Sequence, residues 1–400
     1  MDAYDYKVTK RNQPTTNDKS SLEIKFEKDY NLFLLKNKIL IKGAIKVHKD
    51  FVVENGFVAK LFDTLTVEVN SVAVSYYKSP GDYWLADYIY KYGNYNKEAL
   101  QSSLQTEGYF DMWNTGFSDM SDIDIGYFGA RQIQPAVADE NGEEYVKYFF
   151  AFTPNFGFLR DSQPLMKGAD LKLSFDRAKS SVAFLNKVAS PAVRLPDYIE
   201  ITDCSVQTEW VSSPELRAHF AKIDTSPLKY DFDECQVYLR NLEKNQKTVR
   251  INQIRSGNLP SHMFVGIIES PALDGSLTLS STGFQCNNVE RFNITLDKSC
   301  VNGYPISVES ESPVYPLLKF NDTVARLSNI SAAGGFTQAE FSYNFLWSHH
   351  FEAETTSTGW INIELDFKSE LNRAYTMVIW CITPYSLLID KFYQFERLRR

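Results

Sequence analysis

The chain has 400 residues, of which 14% are aromatic and 23% are charged, and its formal net charge is −8. This length exceeds the usual size of one domain and predicts two domains of about 200 residues each. The acidic balance argues against a dedicated nucleic-acid binder, which normally carries a basic face. Because we find no run of about 18 apolar residues and no apolar segment near the N-terminus, we expect neither a membrane span nor a signal peptide.

The first twenty residues mix Lys, Asp, Thr, Asn and Gln without periodicity, which predicts a flexible N-terminal arm over residues 1–20. From residue 21 onward, apolar and polar residues alternate in short segments, as in strands with one solvated face. With 28 Phe and 23 Tyr in the chain, this pattern predicts an all-β protein. The predicted strands are residues 21–27, 39–47, 65–69, 171–175, 198–201, 204–211, 249–254, 263–268, 276–279, 292–296, 361–367 and 376–382.

Helices are predicted to be few and short, at residues 82–92, 96–105 and 213–223, each within a loop of the β scaffold. Two prolines interrupt the strands at residues 188–197, and we place the domain boundary there. The ordered chain is thus divided into residues 21–190 and 196–400. Each part is long enough for one eight-stranded antiparallel jelly roll, although the two halves share no obvious sequence repeat.

The five cysteines all lie in the second half, far apart and without a C-x-x-C pair. Their odd number and irregular spacing predict free thiols in a reducing compartment, with a zinc site or a disulfide framework as the alternative. These residues are Cys204, Cys235, Cys286, Cys300 and Cys381.

The sequence contains none of the common phosphate-binding, nucleophile or zinc-protease motifs, so we predict no catalytic, cofactor or metal site. On a strand, His350 and Glu352 would share a face and could, with His349, hold a metal, but a histidine pair at a solvated strand end or an interface is the favoured interpretation. Carboxylates cluster at residues 119–124 and 139–144, where solvated loops are the favoured interpretation. Basic residues that could contact a nucleic acid are confined to the two ends, and solvated tails are the alternative. They are Arg397, Arg399 and Arg400, with Lys7, Lys10, Arg11 and Lys19 in the arm.

The order of several segments resembles that of a known family. DYNLFLLKNKILIKGAIKV resembles an opening strand pair, and DYWLADYIYKYGNYNKEALQSSLQTEGYF resembles an aromatic helix followed by a Tyr-Gly break. SGNLPSHMFVGIIESPALDGSLTLSSTGFQCNN is the most specific match, and INIELDFKSELNRAYTMVIWCITPYSLLIDKFYQF resembles the closing strands. From about residue 22 to the end, the chain resembles the major capsid proteins of Polinton (Maverick) elements and adintoviruses. Leu273 and Cys286 depart from the Phe and His that the family commonly has at these places.

The resemblance implies a double jelly roll that stands perpendicular to an icosahedral capsid and forms homotrimers of pseudo-hexameric outline. The implied partners are neighbouring capsomers and penton or minor capsid proteins, and the implied location is the virion, after synthesis in the host cytoplasm or nucleus. The aromatic residues at 83–95 and 110–128 are our candidates for part of the trimer interface, with internal packing as the alternative.

Two functions from other classes remain open on the sequence alone. One is a minor capsid or host-domesticated protein that binds a receptor or glycan as a monomer or pentamer. The other is a metal-dependent jelly-roll enzyme that uses His349, His350 and Glu352.

Overall fold

The computed structural model describes residues 6–93, 106–109, 137–138, 142–154, 156–255, 258–285, 289–301, 303–307, 314–328, 341, 345–351, 359–392 and 394–399. The strands are β1 (Tyr6–Asn12), β2 (Thr16–Asn17), β3 (Ser21–Phe26), β4 (Phe33–Leu34), β5 (Leu40–His48), β6 (Phe51–Val53), β7 (Phe62–Val69), β8 (Val72–Tyr77), β9 (Val137–Ala138), β10 (Glu144–Phe152), β11 (Leu171–Arg177), β12 (Phe184–Asn186), β13 (Ile201–Ser212), β14 (Leu228–Leu242), β15 (Thr248–Arg255), β16 (His262–Glu269), β17 (Val289–Leu296), β18 (Ser299–Cys300), β19 (Ile306–Ser307), β20 (Trp347–His350), β21 (Ile361–Phe367), β22 (Tyr375–Ile389) and β23 (Phe395–Arg399). The helices are α1 (Asp82–Gly93), α2 (Ser180–Ala183), α3 (Pro214–Ala221), α4 (Ser270–Leu273) and α5 (Val314–Ser328), with 3₁₀ turns at Lys36–Lys38, Ala59–Leu61, Gly157–Leu159 and Lys222–Asp224.

Most strands join four antiparallel sheets. Sheet 1 has the order β1-β13-β5-β10-β9, with β4 also on β13, and sheet 2 has the order β2-β3-β11-β7-β8. Sheet 3 has the order β14-β22-β16-β20, with β23 also on β22, and sheet 4 has the order β15-β21-β17-β18, with β19 also on β17. Strands β6 and β12 form a separate two-stranded sheet.

The same connectivity occurs twice along the chain. When the short accessory strands are left aside, sheets 1 and 3 each place their eight-strand unit in the order first, eighth, third, sixth. Sheets 2 and 4 each have the order second, seventh, fourth, fifth. This is the strand order of a jelly roll, so the chain is a double jelly roll, as predicted. The first jelly roll runs from β1 to β13 and the second from β14 to β23.

The predicted domain limits need correction at both ends of the first jelly roll. Residues 1–20 were expected to form a flexible arm, but Tyr6–Asn12 is its first strand and pairs with Ile201–Ser212 from Tyr6↔Ser212 to Asn12↔Val206. The latter strand also pairs with β5, so it is the eighth strand of the first jelly roll. We therefore place the boundary between Ser212 and Leu228 and not at residues 190–196.

Both errors have a physical cause. Strand β1 lies at a sheet edge and its residues are exposed or half-buried, so its sequence lacks the apolar alternation of a strand over a core. The prolines at residues 188–197 lie in the connection between β12 and β13, inside the first jelly roll, where a loop tolerates them as well as a linker does.

Most of the other predicted strands and helices are present in the structure. Strands correspond to every predicted range except 198–201, of which the strand contains only Ile201, and 276–279, which is irregular. Helix 82–92 is present, and so is helix 213–223, where Ser213 Oγ accepts a hydrogen bond from Leu216 N at 3.1 Å. Helix 96–105 lies outside the described residues. Strand β14 and helix α5 were not predicted.

Aromatic side chains fill both jelly rolls. In the first, the Phe62 ring lies 4.9 Å from Phe175 and 5.9 Å from Phe152. In the second, Phe292 of sheet 4 stacks on Trp347 of sheet 3 at 4.6 Å, which joins the two sheets across the core. Ring pairs at these separations add to the stabilisation that burial of their area provides.

The cysteines that the structure describes are free thiols. Cys204, Cys235 and Cys381 are buried, and Cys300 is exposed. Burial raises the pKa of Cys204 and of Cys381 to about 11. Cys286 lies outside the described residues. None of the helices within the described ranges has the length and apolar character that crossing a bilayer requires.

We predict that strand β1 contributes to stability. Successive N–H groups of a strand point to opposite sides, so prolines at both Val8 and Thr9 must remove one N–H that faces β13. The variant Val8→Pro/Thr9→Pro should lose about 1–3 kcal/mol of unfolding free energy in urea titrations. The control Val8→Ala/Thr9→Ala keeps the backbone donors and should lose clearly less. Equal stability of the proline variant and the wild type would mean that these residues form an arm after all.

Candidate assembly surfaces and the contact between the jelly rolls

Sheet 3 is buried on both of its faces. All but two of the fifteen residues of β22, and all but one of the eight residues of β16, are buried. The inner face packs on sheet 4. The outer face is covered in part by α1 of the first jelly roll, where Trp380 Nε1 donates a hydrogen bond to the Leu85 carbonyl at 2.9 Å. The Tyr88 ring lies 5.5 Å from Phe284 and 6.3 Å from Trp380. Gly266 leaves room for Phe284, because a Cβ there would come within 2.6 Å of its ring.

This packing corrects the predicted trimer interface at residues 83–95. Tyr83, Trp84, Tyr88 and Tyr90 of α1 are each no more than 3% exposed. Tyr88 and Tyr90 reach Trp380 and Asp233 of the second jelly roll, and Tyr83 packs on Phe62 and Phe175 inside the first, as the internal alternative has it. These buried side chains are not available to another subunit, and residues 94–95 lie outside the described residues. The second candidate segment, residues 110–128, lies outside the described residues.

A buried ion pair of the first jelly roll is held by a loop of the second. Glu54 and Lys60 are both 2% exposed, and Lys60 Nζ lies 2.9 Å from Glu54 Oε1. Ser280 Oγ and Thr282 Oγ1 donate hydrogen bonds to Glu54 Oε1, and Ser281 Oγ donates to Oε2 at 2.8 Å. Three consecutive hydroxyls therefore solvate a carboxylate that water cannot reach, which is what a buried charge requires.

A second buried carboxylate makes the reciprocal contact. Glu234 of β14 accepts a hydrogen bond from Ser75 Oγ of β8 at 2.9 Å and forms an ion pair with Arg397 of β23. The Arg397 guanidinium also lies 4.1 Å from the centre of the Tyr385 ring. The C-terminal strand thus completes the polar part of the contact between the jelly rolls.

A buried lysine adds a third polar contact. Lys36 Nζ lies 3.3 Å from Asp161 Oδ2, and the rings of Phe158 and Tyr230 lie 4.8 and 4.9 Å from it. Burial lowers the pKa of Lys36 to about 8. Because Tyr230 belongs to β14 of the second jelly roll, this cation also lies between the two rolls.

A cleft of about 630 Å³ opens where the rolls meet at the surface, and Trp84, Leu239 and Leu273 are among its lining residues. Asp63 lies in the same cleft, and burial raises its pKa to about 6. Both jelly rolls contribute to the lining, so the cleft marks the edge of their contact.

Two exposed surfaces are candidates for contact with another subunit. On α5, Leu318 is 60% exposed, and Val314 and Tyr315 beside it are also exposed, whereas Phe320 and Val324 on the opposite side of the helix are buried. The second surface is the outer face of sheet 1. Most of its side chains are long cations or half-exposed polar groups around one aromatic ring, and they are Arg11, Lys42, Lys46, Lys147, Phe149, Gln207 and Glu209.

The predicted cluster of His349, His350 and Glu352 is not brought together by the described residues, because the consecutive His349 and His350 lie on opposite faces of β20. Instead, His262 and His350 face each other across β16 and β20 with ring centres 4.6 Å apart. His262 Nδ1 contacts Ser261 Oγ at 2.9 Å. Burial lowers the pKa of His262 to about 3 and that of His349 to about 4, so both rings are neutral at pH 7. Glu352 lies outside the described residues, and within the ranges that the structure covers no three potential ligands meet to hold a metal.

The charged clusters that the sequence singled out are largely paired. Lys7 lies 2.9 Å from Glu209, and Lys10 lies 2.6 Å from Asp29, so these cations of the predicted arm neutralise neighbouring acids. Glu144, at the end of the acidic run 139–144, pairs with Lys49. Residues 119–124 and Arg400 lie outside the described residues.

Comparison with known proteins finds similarity in structure alone. No family model matches the chain, and no curated protein sequence matches it. A chain of the Sputnik virophage structure superposes with a TM-score of 0.67 at 9% identity, over 100% of this chain and 89% of that chain. The mavirus major capsid protein gives 0.61 at 11% identity, over 98% and 90%. A chain of the PBCV-1 virus capsid gives 0.60 at 9% identity, over 99% and 98%. These matches extend over both jelly rolls and agree with the double jelly-roll fold.

We predict that the Glu54–Lys60 pair is strongly coupled. Glu54→Gln or Lys60→Met alone leaves a buried group without its counter-charge and should cost about 3–5 kcal/mol in urea titrations. The double variant Glu54→Gln/Lys60→Met should cost less than the sum of the two. As a control, Glu23→Gln/Lys172→Met removes an ion pair of 3.1 Å that is about one-third exposed, and it should change stability by no more than about 1 kcal/mol. Additive single effects would contradict the coupling.

We also predict a histidine contribution to acid sensitivity. The unfolded chain takes up protons at these histidines near pH 6.5, but folded His262 and His349 do so only near pH 3 and 4. Their contribution is therefore fully present above pH 6.5 and is lost as the pH falls toward 4 and below. In urea titrations at pH 7.5 and 4.5, His262→Gln/His349→Gln should lose less stability between the two pH values than the wild type does. An unchanged difference would refute buried neutral rings.

Proposed function

We propose that this protein is the major capsid protein of a virus or of a virus-like transposon. In this role it is a structural protein that tiles an icosahedral shell, and it has no catalytic activity. The observation that carries the proposal is the match of nearly the whole chain to viral structures, among them a mavirus major capsid protein and a chain of the PBCV-1 capsid. The resemblance of its segments to Polinton and adintovirus proteins supports that type within the proposal.

We infer a homotrimer as the building unit. Three chains with two jelly rolls each present six similar lobes, so a trimer has a pseudo-hexagonal outline and can tile a hexagonal lattice from one gene product. The repeated strand order supports this arrangement, because both lobes of a chain have the same connectivity. Penton or minor capsid proteins would fill the positions that the hexagonal units leave open.

The proposed location is the virion, after synthesis in a reducing compartment of the host, the cytoplasm or nucleus. The buried free thiols Cys204, Cys235 and Cys381 support such a compartment. A weak contact with the packaged genome falls to Arg399 and Arg400, because the Arg397 guanidinium is engaged by Glu234 and the Tyr385 ring.

We predict that the purified full chain has the mass of three subunits in light scattering at micromolar concentration. Negative-stain microscopy of the same material should show hexagonal capsomers or closed shells. A stable monomer under these conditions would contradict the proposed trimer, and stoichiometric transition metal in the purified protein would favour the enzyme alternative.

A further inference from the structure

The cleft between the jelly rolls is lined by five segments of the chain. The first jelly roll supplies Asp63 at the start of β7, residues between 79 and 85 at the start of α1, and residues between 179 and 182 at α2. The second jelly roll supplies Leu239 of β14 and residues 273–274 at the end of α4. The volume of about 630 Å³ lies in the range of cavities that bind small molecules.

Much of the lining of this cleft is apolar. Trp84, Leu85 and Val182 are buried, whereas Leu239 is 40% exposed and Leu273 is half-buried. The two leucines of the second jelly roll therefore leave apolar area in contact with water. A ligand with an apolar body can cover this area, and the removal of that area from water favours binding.

The carboxyl group of Asp63 is the polar group that the protein itself leaves without a counter-charge in this cleft. It is half-buried and accepts a hydrogen bond from the Gly81 backbone N–H. Glu54 and Glu234, the buried carboxylates at the contact between the rolls, each form an ion pair with a cation of the chain. Within the ranges that the structure describes, no lysine, arginine or histidine forms such a pair with Asp63. A cationic ligand would supply the missing charge.

The charged residues around Asp63 favour a cation over an anion. Burial is the main cause of its raised pKa, and the Asp176 carboxylate adds to it, whereas Lys179 acts in the opposite direction and by less. Asp274 is exposed at the cleft, and Asp82, next to Gly81, accepts a hydrogen bond from the Ser79 backbone N–H at 2.8 Å. Acidic groups therefore outnumber the one cation among them, and their field attracts positive charge.

We propose that this cleft binds a small organic cation with an apolar body, such as a primary alkylammonium, whose charge pairs with Asp63 and whose body covers Leu239 and Leu273. The proposal does not depend on the capsid function. A divalent metal ion fits less well, because it needs several oxygen ligands and the part of the chain that the structure describes brings no three potential ligands together.

The position of the cleft gives the ligand a structural effect. Asp63 belongs to the first jelly roll, and Leu239 and Leu273 belong to the second, so a ligand that contacts all three bridges the rolls. Because it binds the folded chain and not the unfolded one, it should also raise the thermal midpoint of the protein.

The test compares three probes of the same length, hexylammonium, hexanol and hexanoate, by titration calorimetry on the full chain at pH 7.5. We expect hexylammonium to bind at one site per chain, at least about tenfold more tightly than hexanol, and hexanoate to bind more weakly than both. Asp63→Asn is nearly isosteric and neutral, so it should fold as the wild type does and lose most of the preference for hexylammonium. Asp203→Asn removes a carboxylate that is 66% exposed and paired with Lys147 on sheet 1, and it should keep the preference.

The pH dependence of binding gives a second measurement on the unchanged protein. A proton and the ligand cation compete for the same carboxyl group, and Asp63 takes up its proton near pH 6. The affinity of the wild type for hexylammonium should therefore fall about tenfold from pH 7.5 to pH 5.0, and that of Asp63→Asn should not. Equal affinities for hexylammonium and hexanol, a flat pH profile of the wild type, or no binding at millimolar concentration would each overturn the proposal.

Discussion

Sheet 3 is apolar on both faces, so its outer face must be shielded from water by other parts of the chain. The packing of the two jelly rolls depends on this constraint. Strand β22 is apolar along both of its faces, as strands buried on both sides are. Sheet 4 covers one face, and the other is covered by α1 and by α5 of its own jelly roll. Removing α1 would expose Trp380 and Phe284 to water. The two jelly rolls are for this reason one folding unit in energetic terms, although they are two in connectivity.

The polar groups between the two jelly rolls fix the relative position of the rolls more than they add to the stability of the contact. Burying Glu54, Lys60 and Glu234 costs desolvation free energy that their partners offset only when the hydrogen bonds are well placed. The Ser280–Thr282 hydroxyls reach Glu54 in one relative position of the two rolls, and Ser75 reaches Glu234 in the same position. An apolar contact alone would tolerate sliding of α1 over sheet 3. The buried charges disfavour such displaced positions, since sliding one jelly roll over the other would leave a buried charge without its partner.

Much of the fold could be predicted from local pattern, because alternation of apolar and polar residues is a property of each strand by itself. Strand β14 shows that pattern at Leu228, Tyr230 and Phe232 and was still missed, since the charged residues between them, Lys229 and Asp231, resemble those of a loop. Helix α5 begins at Val314 and contains Pro316 in its first turn, and its exposed apolar side obscures the usual amphipathic period. The flexible arm was predicted because edge strand β1 buries too little to be recognised, and the domain boundary was misplaced because the prolines at residues 188–197 lie in a loop within the first jelly roll.

The contact between the jelly rolls could not be predicted from the sequence, for a different reason. Ser280 and Glu54 are 226 positions apart, and nothing in either segment indicates the other. The aromatic run of α1 signalled a large apolar surface correctly, but a sequence does not distinguish a surface that another subunit covers from one that the same chain covers. Only the three-dimensional arrangement assigns Tyr88 to Trp380.

The placement of the eighth strand has a consequence for biosynthesis. In both jelly rolls it lies between the first and third strands, so β14 and β16 have no common neighbour until β22 emerges. A nascent or prematurely terminated polypeptide that stops before residue 375 would leave α1 facing solvent and fifteen residues of β14 without a partner. Such fragments expose apolar surface and an unpaired strand, which makes them substrates for chaperones and proteases. The topology therefore delays the stable fold until the last strands of the chain have been made.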